Sequence, residues 1–114
     1  MQTIETEFFL PPLPERVEAG MAFFDANLAP EWPWLIDCDK LDVAEFEDCP
    51  LGQLAGTYFT GMEKFALDDL EVIRLGFNGA PTDPTGTMEE LTAAWQAAIR
   101  QRRRQIYQGA PSPN

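Results

Sequence analysis

The chain has 114 residues, of which 45% are apolar, and it carries a net charge of -11 with two cysteines and no histidine. This length fits one domain, and a chain of this size and apolar content buries enough surface to form a core. The absence of histidine excludes Ser-His-Asp and Cys-His catalysis and histidine-ligated zinc. We therefore expect a non-enzymatic protein without a cofactor, with a metal-assisted enzyme that uses carboxylates alone as the weaker alternative.

The negative charge indicates which partners the surface favours. It repels polyanions, so we expect no direct contact with nucleic acid and an attraction to proteins that have a basic surface. No stretch reaches the roughly 20 apolar residues of a membrane span, and the N-terminal residues carry Glu5 and Glu7 where a secretory signal is basic. The sequence predicts a cytoplasmic protein with no membrane contact, in which Cys38 and Cys49 are free and buried.

The first 14 residues are predicted to form an extended arm, followed by a helix. Pro11, Pro12 and Pro14 exclude a continuous helix through the arm, because proline lacks an amide proton and has a fixed φ. We expect residues 8–13 to lie across an apolar groove between helices, with a strand as the alternative.

The first predicted helix begins at Pro14 and ends before Pro30. Its apolar stripe, which faces the core, consists of Val17, Met21, Phe24 and Leu28.

Residues 29–50 form an acidic loop in the prediction. Seven acidic residues and one lysine give this segment a net charge of -6, and it has no helical or strand period. A short helical turn is expected around residues 43–46. For the run Trp32-Pro33-Trp34 we expect one indole to cover the core and the other to remain exposed.

Three further helices are predicted after this loop. One begins at Pro50 and continues to Phe65, although its three glycines each cost about 1 kcal/mol of helix stability and indicate close packing. A short helix begins with a capping box of Asp68 and Glu71 and stops at Gly76 in a left-handed conformation. A second capping box, at residues 87–90, opens the last helix. Its inner face is formed by Met88, Leu91, Ala94, Trp95, Ala98 and Ile99.

These elements predict a mainly α fold. We expect a small single-domain helical bundle of three principal helices plus a short helix, with an extended N-terminal arm. The single domain spans residues 1–114, with the arm over 1–14, the helical core over 15–107 and a flexible tail over 108–114.

Two features, one within the acidic loop and one at its C-terminal end, resemble a calcium site and a reactive thiol, but neither has all the residues that such a site needs. Residues 37–48 have the length of an acidic calcium loop, but Leu41 occupies a ligand position and Asp42 replaces the required glycine. We therefore expect no metal site. Cys49 precedes a predicted helix, whose dipole lowers a thiol pKa, but no histidine is present to act as its base. A buried packing thiol is the favoured interpretation.

The acidic loop is the predicted partner-binding site. Carboxylates speed the encounter with a basic surface, and an exposed tryptophan contacts arginine through a cation–π interaction and slows release. Four arginines at the end of the last helix, residues 100 and 102–104, are interpreted as complementing its negative pole. The predicted partner-binding residues are Glu31, Trp32, Trp34, Asp37, Asp39, Asp42, Glu45, Glu47 and Asp48.

A short run at the second predicted helix resembles a known group of proteins. Residues 49–54, followed by Gly56, Tyr58 and Gly61, are similar to the Cys-x-Leu-Gly-Gln-Leu-x-Gly-x-Tyr core of uncharacterised small acidic proteins of actinobacteria and their bacteriophages. With weaker matches elsewhere, the similarity covers most of residues 16–104. It implies a phage or prophage accessory protein in the cytoplasm of a bacterial host, and it implies no activity and no functional residue.

The leading functional hypothesis is an acidic protein-binding module that acts on a host or phage protein. The alternatives are a nucleic-acid mimic that inhibits a DNA-binding or defence protein, and an immunity or antitoxin protein.

Gln53 lies opposite the apolar stripe of its helix and is interpreted as solvated. Both a monomer and a homodimer are compatible with the sequence, because Phe23 lies off the main stripe and either mediates a dimer or meets the arm.

Overall fold

The computed structural model describes residues 10–80 and 85–109, with side chains as far as Tyr107. Within these residues the chain is mainly helical and contains no strand, which confirms the predicted fold class. A 3-10 helix, Trp32–Leu35, lies between the first two α-helices. The α-helices are α1 (Leu13–Asn27), α2 (Pro50–Ala55), α3 (Tyr58–Lys64), α4 (Asp69–Arg74) and α5 (Met88–Gly109). The predicted arm and tail lie largely outside the described residues.

Helix α1 begins and ends where its prolines dictate. Its first turn forms because the amides of Glu15 and Arg16 both donate to the Pro12 carbonyl oxygen at 3.1 Å. The helix thus begins at Leu13, one residue before the predicted start, so residues 13 and 14 of the predicted arm are helical. Pro14 is tolerated in this first turn, since its missing amide proton would have no partner inside the helix. The helix ends at Asn27, three residues before Pro30, as predicted. Its core-facing residues Val17, Met21 and Phe24 are buried, as the predicted stripe requires, whereas Leu28 lies just past the end of the helix and is partly buried against the core.

The single helix predicted from Pro50 to Phe65 is broken into α2 and α3. Gly56 has a φ of +105°, which ends α2, and no neighbouring atom lies where its β-carbon would be. Thr57 then caps α3, because its hydroxyl accepts a hydrogen bond from the Thr60 amide at 3.0 Å. The apolar period continues through the break, so the stripe alone does not reveal it.

The acidic loop has its helical turn in a different place from the predicted one. Residues 43–46 form hydrogen-bonded turns, in which the Glu45 amide donates to the Asp42 carbonyl oxygen at 3.0 Å. The helical turn is instead the 3-10 helix at Trp32–Leu35, where the Trp34 amide donates to the Glu31 carbonyl oxygen at 2.9 Å. Within this turn Trp32 is buried and Trp34 is half-exposed.

Both predicted capping boxes are present. The Glu71 amide donates to the Asp68 carboxylate at 2.8 Å, and the Asp68 amide donates to the Glu71 carboxylate at 2.9 Å. Thr87 and Glu90 exchange the same pair of hydrogen bonds at the start of α5, at 2.8 and 3.1 Å. These four residues fix the beginnings of α4 and α5 by local interactions alone.

The end of α4 is also the predicted one. Gly76 has a φ of +75°, and the Phe77 amide donates back to the Val72 carbonyl oxygen at 2.8 Å. This closure turns Phe77 inward, where it is fully buried.

An aromatic cluster forms the centre of the core. The rings of Phe24, Phe77 and Trp95 are within 6.0 Å of one another between centroids, and the indole nitrogen of Trp95 donates to the Gly76 carbonyl oxygen at 2.6 Å. Phe23 packs edge-on against Phe77 at 5.9 Å and against Phe65 in the same way. Phe23 is therefore half-buried against these rings, which leaves only part of its surface for the predicted contact with a second copy or with the arm.

Helices α1 and α5 lie side by side and run in the same direction. A β-carbon at Gly86 would lie 2.5 Å from Leu13, and one at Gly20 would lie 2.7 Å from the Trp95 ring. Further along, Asp25 and Arg102 form a salt bridge of 2.7 Å. Contacts therefore progress towards the C-terminus in both helices, which places their N-termini at one end of the bundle.

Arg16 is fully buried, which the sequence did not indicate. Its guanidinium donates to the carbonyl oxygens of Ile73 and Asn78 at 3.0 and 3.3 Å, and to the Thr85 hydroxyl at 3.0 Å. A buried charged side chain is tolerated when its protons have hydrogen-bond partners. Arg16 thus joins α1 to the end of α4 and to the connector that precedes α5.

Candidate functional site

The two indoles of the acidic loop have different environments. Trp32 is 1% exposed, and its indole nitrogen donates to the Asp25 carboxylate at 2.9 Å. Trp34 is 51% exposed. The prediction that one indole covers the core while the other stays exposed is confirmed. The inclusion of Trp32 among the partner-binding residues is wrong, since the core covers its ring.

Trp34 already has a cationic neighbour within the chain. The guanidinium of Arg103 lies 5.2 Å from the centre of its ring and donates to the carbonyl oxygens of Pro33, at 3.0 Å, and Ile36. A cation–π contact of this kind is the one that the sequence assigns to a partner's arginine. One face of the Trp34 ring is therefore occupied, which leaves less of the ring available to contact another protein.

The arginines of α5 tie this helix to the rest of the molecule. Arg100 forms a salt bridge of 3.3 Å with Asp39, and Arg102 forms the one of 2.7 Å with Asp25. Together with Arg103 they connect α5 to α1 and to the acidic loop, a role beyond complementing the negative pole of the helix. Arg104 is exposed.

Gln53 closes the acidic loop. Its side-chain nitrogen donates to the carbonyl oxygens of Asp37 and Asp48 at 3.2 and 3.0 Å, and its side-chain oxygen accepts from the Asp37 amide at 2.6 Å. The interpretation of Gln53 as a solvated side chain is therefore wrong. One amide group therefore joins the backbone at the two ends of the segment 37–48.

The acidic side chains of the loop fall into two groups. Asp37 and Asp42 accept hydrogen bonds of 3.0 Å from the amides of Asp39 and Ala44, and Asp39 is paired with Arg100. Asp37 and Asp42 stabilise turns of the loop, and Asp39 connects the loop to α5. In the second group the carboxylates accept no hydrogen bond and form no ion pair with any described residue. This group consists of Glu31, Glu45, Glu47 and Asp48.

Two phenylalanines are exposed at the part of the loop that carries Glu45, Glu47 and Asp48, since Phe46 lies between the two glutamates in the chain. Phe46 and Phe59 are 57% and 58% exposed, and their ring centroids are 4.8 Å apart. Their backbone is held firmly, because the Tyr58 amide donates to the Phe46 carbonyl oxygen at 2.7 Å. The same carbonyl oxygen lies against Gly52, where no β-carbon fits. Gly52 thus serves packing within the domain, as the sequence favours.

Phe46 and Phe59 are absent from the predicted site. The alternation Glu45-Phe46-Glu47 is a signal that the sequence contains, since it places an aromatic side chain between two carboxylates. Phe59 gives only a weak signal, because it lies off the apolar stripe of its helix. The contact between the two rings depends on the hydrogen bond between Tyr58 and Phe46, which the sequence does not predict.

Comparison with known proteins assigns no role to these residues. The chain matches no protein-family model, no curated protein and no solved structure. In the described ranges 10–80 and 85–109, no three cysteine, aspartate or glutamate side chains converge in a way that could hold a metal ion. No helix in the described part is long and apolar enough to cross a membrane.

Both cysteines are free and buried, as predicted. Burial raises the pKa of the Cys49 thiol above its ordinary value, an effect that the hydrogen bond from the Gly52 amide to its sulfur at 3.2 Å only partly opposes. The thiol is thus protonated at neutral pH, and the helix dipole does not activate it.

We expect a thiol reagent at neutral pH to label the native protein only at the rate at which the protein unfolds. Rapid labelling of Cys49 in the folded protein, followed by mass spectrometry, would contradict this expectation.

The ion pair between Asp25 and Arg102 makes stability depend on pH. The hydrogen bond from Arg102 holds the pKa of the Asp25 carboxyl below its ordinary value of 3.8, against the opposing effect of burial. Its contribution to folding is therefore complete above the unfolded pKa and is lost as the pH falls through the lower, folded pKa. The side chain of Asp25 is 43% exposed, so this contribution stays within about 1 kcal/mol.

We expect Asp25→Asn to lower the free energy of unfolding at neutral pH and to reduce its fall in acid. Urea denaturation followed between neutral pH and pH ~3 measures both effects. Glu63→Gln is the matched control, since Glu63 is exposed on α3 and its carboxylate has no partner among the described residues. If the two variants show the same dependence on pH, the role of Asp25 is refuted.

Proposed function

We propose that the chain is a non-enzymatic protein-binding module that holds a basic segment of a partner on one surface. This surface, called the Phe46 surface below, consists of Glu45, Phe46, Glu47, Asp48 and Phe59. The observation that carries the proposal is the pair of exposed phenylalanine rings in contact with each other beside carboxylates that have no partner in the described chain.

The composition of the Phe46 surface suits an arginine-bearing partner. Exposed aromatic side chains are enriched at the centres of protein interfaces, where they contribute most of the binding energy. A guanidinium group stacks on an aromatic face and pairs with a carboxylate at the same time. The carboxylates of Glu45, Glu47 and Asp48 also attract a basic surface during encounter, which raises the association rate.

The Phe46 surface is organised before binding. The backbone of Phe46 is fixed by the Tyr58 amide and by its close approach to Gly52, and the loop behind it is closed by Gln53. Binding to a surface that is already ordered costs less conformational entropy than ordering a loop on contact. The order of this surface before binding favours a docking role for the two rings over exposure without a function.

A protein-binding role is favoured over imitation of nucleic acid. A mimic requires carboxylates spaced like phosphates, whereas the centre of this surface is a pair of apolar rings. An immunity or antitoxin protein would be one instance of the proposed module, with the toxin as its partner. A host or phage protein in the cytoplasm is the partner that we propose on the basis of the charge and the sequence resemblance.

Site-specific photo-crosslinking tests the proposal. A photoreactive phenylalanine analogue is placed at position 59 in one protein and at the exposed Leu35 in a matched control, and each is expressed in the organism of origin. We expect position 59 to crosslink one protein through a peptide rich in arginine or lysine. The crosslink should disappear in the Glu45→Lys/Glu47→Lys variant. Equal crosslinking from both positions, or a crosslink that survives the charge reversal, would refute the proposal.

A further inference from the structure

A groove between α1 and α5 is a second surface, separate from the Phe46 surface. It has a volume of about 610 Å³ and is open to solvent along the two parallel helices. Small side chains form much of its lining, including Ala22 on α1 and Ala94 and Ala97 on α5. Such side chains allow another helix to approach closely.

The groove is charged differently at its two ends. At the end where both helices begin, Glu15 and Glu18 lie along α1. At the other end Asp25 and Arg102 neutralise each other, and Arg104 is exposed on the same side of α5 as Ala97, two helical turns away. One end is therefore negative and the other positive.

Helix α5 continues past the end of α1. It has 22 residues against 15 in α1, and the contact of Gly20 with Trp95 places the last residue of α1 beside Arg102. The remaining seven residues extend roughly 10 Å further, at about 1.5 Å per residue. They carry Arg104 and the highly exposed Tyr107.

We propose that a second copy of this chain docks in the groove, so that α1 and α5 of both copies form an antiparallel four-helix contact. The two-fold axis lies across the groove near Ala22 and Ala97, which are at the same height along the bundle. The rotation brings the negative end of one copy against the positive end of the other. Glu15 then faces Arg104 of the second copy, and the overhanging turns of α5 cover the start of its α1.

Charge favours a second copy over the other occupants of the groove. The chain's own N-terminal residues carry Glu5 and Glu7, which would add negative charge beside Glu15 and Glu18. A uniformly basic helix would be repelled by the end that carries Arg104. An antiparallel second copy is attracted at both ends. Because two copies of net charge -11 repel each other at long range, we expect the dimer at physiological ionic strength, where that repulsion is screened.

Sedimentation equilibrium of the full chain over a dilution series tests this proposal. We expect a dimer whose Kd rises about tenfold with Glu15→Arg and about tenfold with Arg104→Glu, because each change places like charges opposite each other. Glu15→Arg/Arg104→Glu together should restore the Kd to within about threefold of the native value. Glu63→Arg and Arg74→Glu, which change the net charge equally at exposed positions outside the groove, should leave the Kd unchanged.

Two results would overturn the proposal. The first is a native chain that is monomeric at every concentration. If Phe8→Ser/Phe9→Ser then produces a dimer, the N-terminal residues are the occupant of the groove, and the proposal is overturned in that case as well. The other is a dimer whose Kd does not respond to the charge reversals or is not restored in the double variant. Thermal unfolding of each variant confirms that it is folded, and neither result bears on the Phe46 surface, whose residues lie outside the groove.

Discussion

Trp95→Ala is expected to lower the free energy of unfolding by about 3–5 kcal/mol, the range for removing a large buried aromatic side chain. The Trp95 ring is fully buried and packs against Phe24 and Phe77, so its removal leaves a cavity at the centre of the core. The Gly76 carbonyl oxygen also loses the indole proton that it accepts at 2.6 Å. Since a whole domain is stable by only about 5–15 kcal/mol, this variant should be close to unfolding.

Urea denaturation monitored by circular dichroism measures this loss, and Trp34→Ala is its matched control. Trp34 is half exposed, and its main interaction is the cation–π contact with Arg103, worth about 0.5–1 kcal/mol at such a site. We therefore expect Trp34→Ala to cost no more than about 1 kcal/mol. Losses of similar size in the two variants would contradict the assignment of Trp95 to the core and Trp34 to the surface.

Gly20→Ala is expected to destabilise the protein by about 1–3 kcal/mol, the cost of overpacking a core. A β-carbon at Gly20 would press against the Leu75 carbonyl oxygen and lie 2.7 Å from the Trp95 ring. Helix propensity by itself favours alanine over glycine by about 1 kcal/mol within a helix. The sign of the change thus distinguishes close packing from intrinsic propensity.

Ala19→Gly provides the control for Gly20→Ala on the same helix. Ala19 is exposed, so this variant should lose about 1 kcal/mol through propensity alone. Thermal and urea unfolding of both variants gives the comparison. A Gly20→Ala protein that is more stable than the native one would show that α1 does not approach α5 as closely as the structure indicates.

Features that depend on neighbours in the sequence could be predicted. The capping box of Asp68 and Glu71 and the left-handed Gly76 each require only residues within a few positions, and both are present. The sequence does not predict the break at Gly56, because the apolar stripe continues across it. The hydroxyl of Thr57, which starts the next helix, offered the chain a competing local structure that periodicity does not reveal.

The candidate site was harder to predict because long-range contacts decide its chemistry. Gln53 and Arg103 both bind backbone carbonyls far away in the sequence, which closes the loop and covers one face of Trp34. Phe46 and Phe59 lie 13 positions apart, and the hydrogen bond from the Tyr58 amide to the Phe46 carbonyl oxygen helps to bring them together. The acidic character of the loop and the alternation around Phe46 are present in the sequence, whereas the exposure of Phe46 and its contact with Phe59 depend on the three-dimensional structure.

The affinity of the crosslinked partner for single variants tests the proposed function most directly. Isothermal titration would compare the native chain with Phe46→Ser and with Trp34→Ser, after circular dichroism has shown that both variants are folded. We expect Phe46→Ser to raise the Kd by about 30-fold or more, as for a central interface residue, and Trp34→Ser to raise it less than about threefold. An unchanged Kd for Phe46→Ser, or a larger rise for Trp34→Ser, would contradict a partner site centred on Phe46.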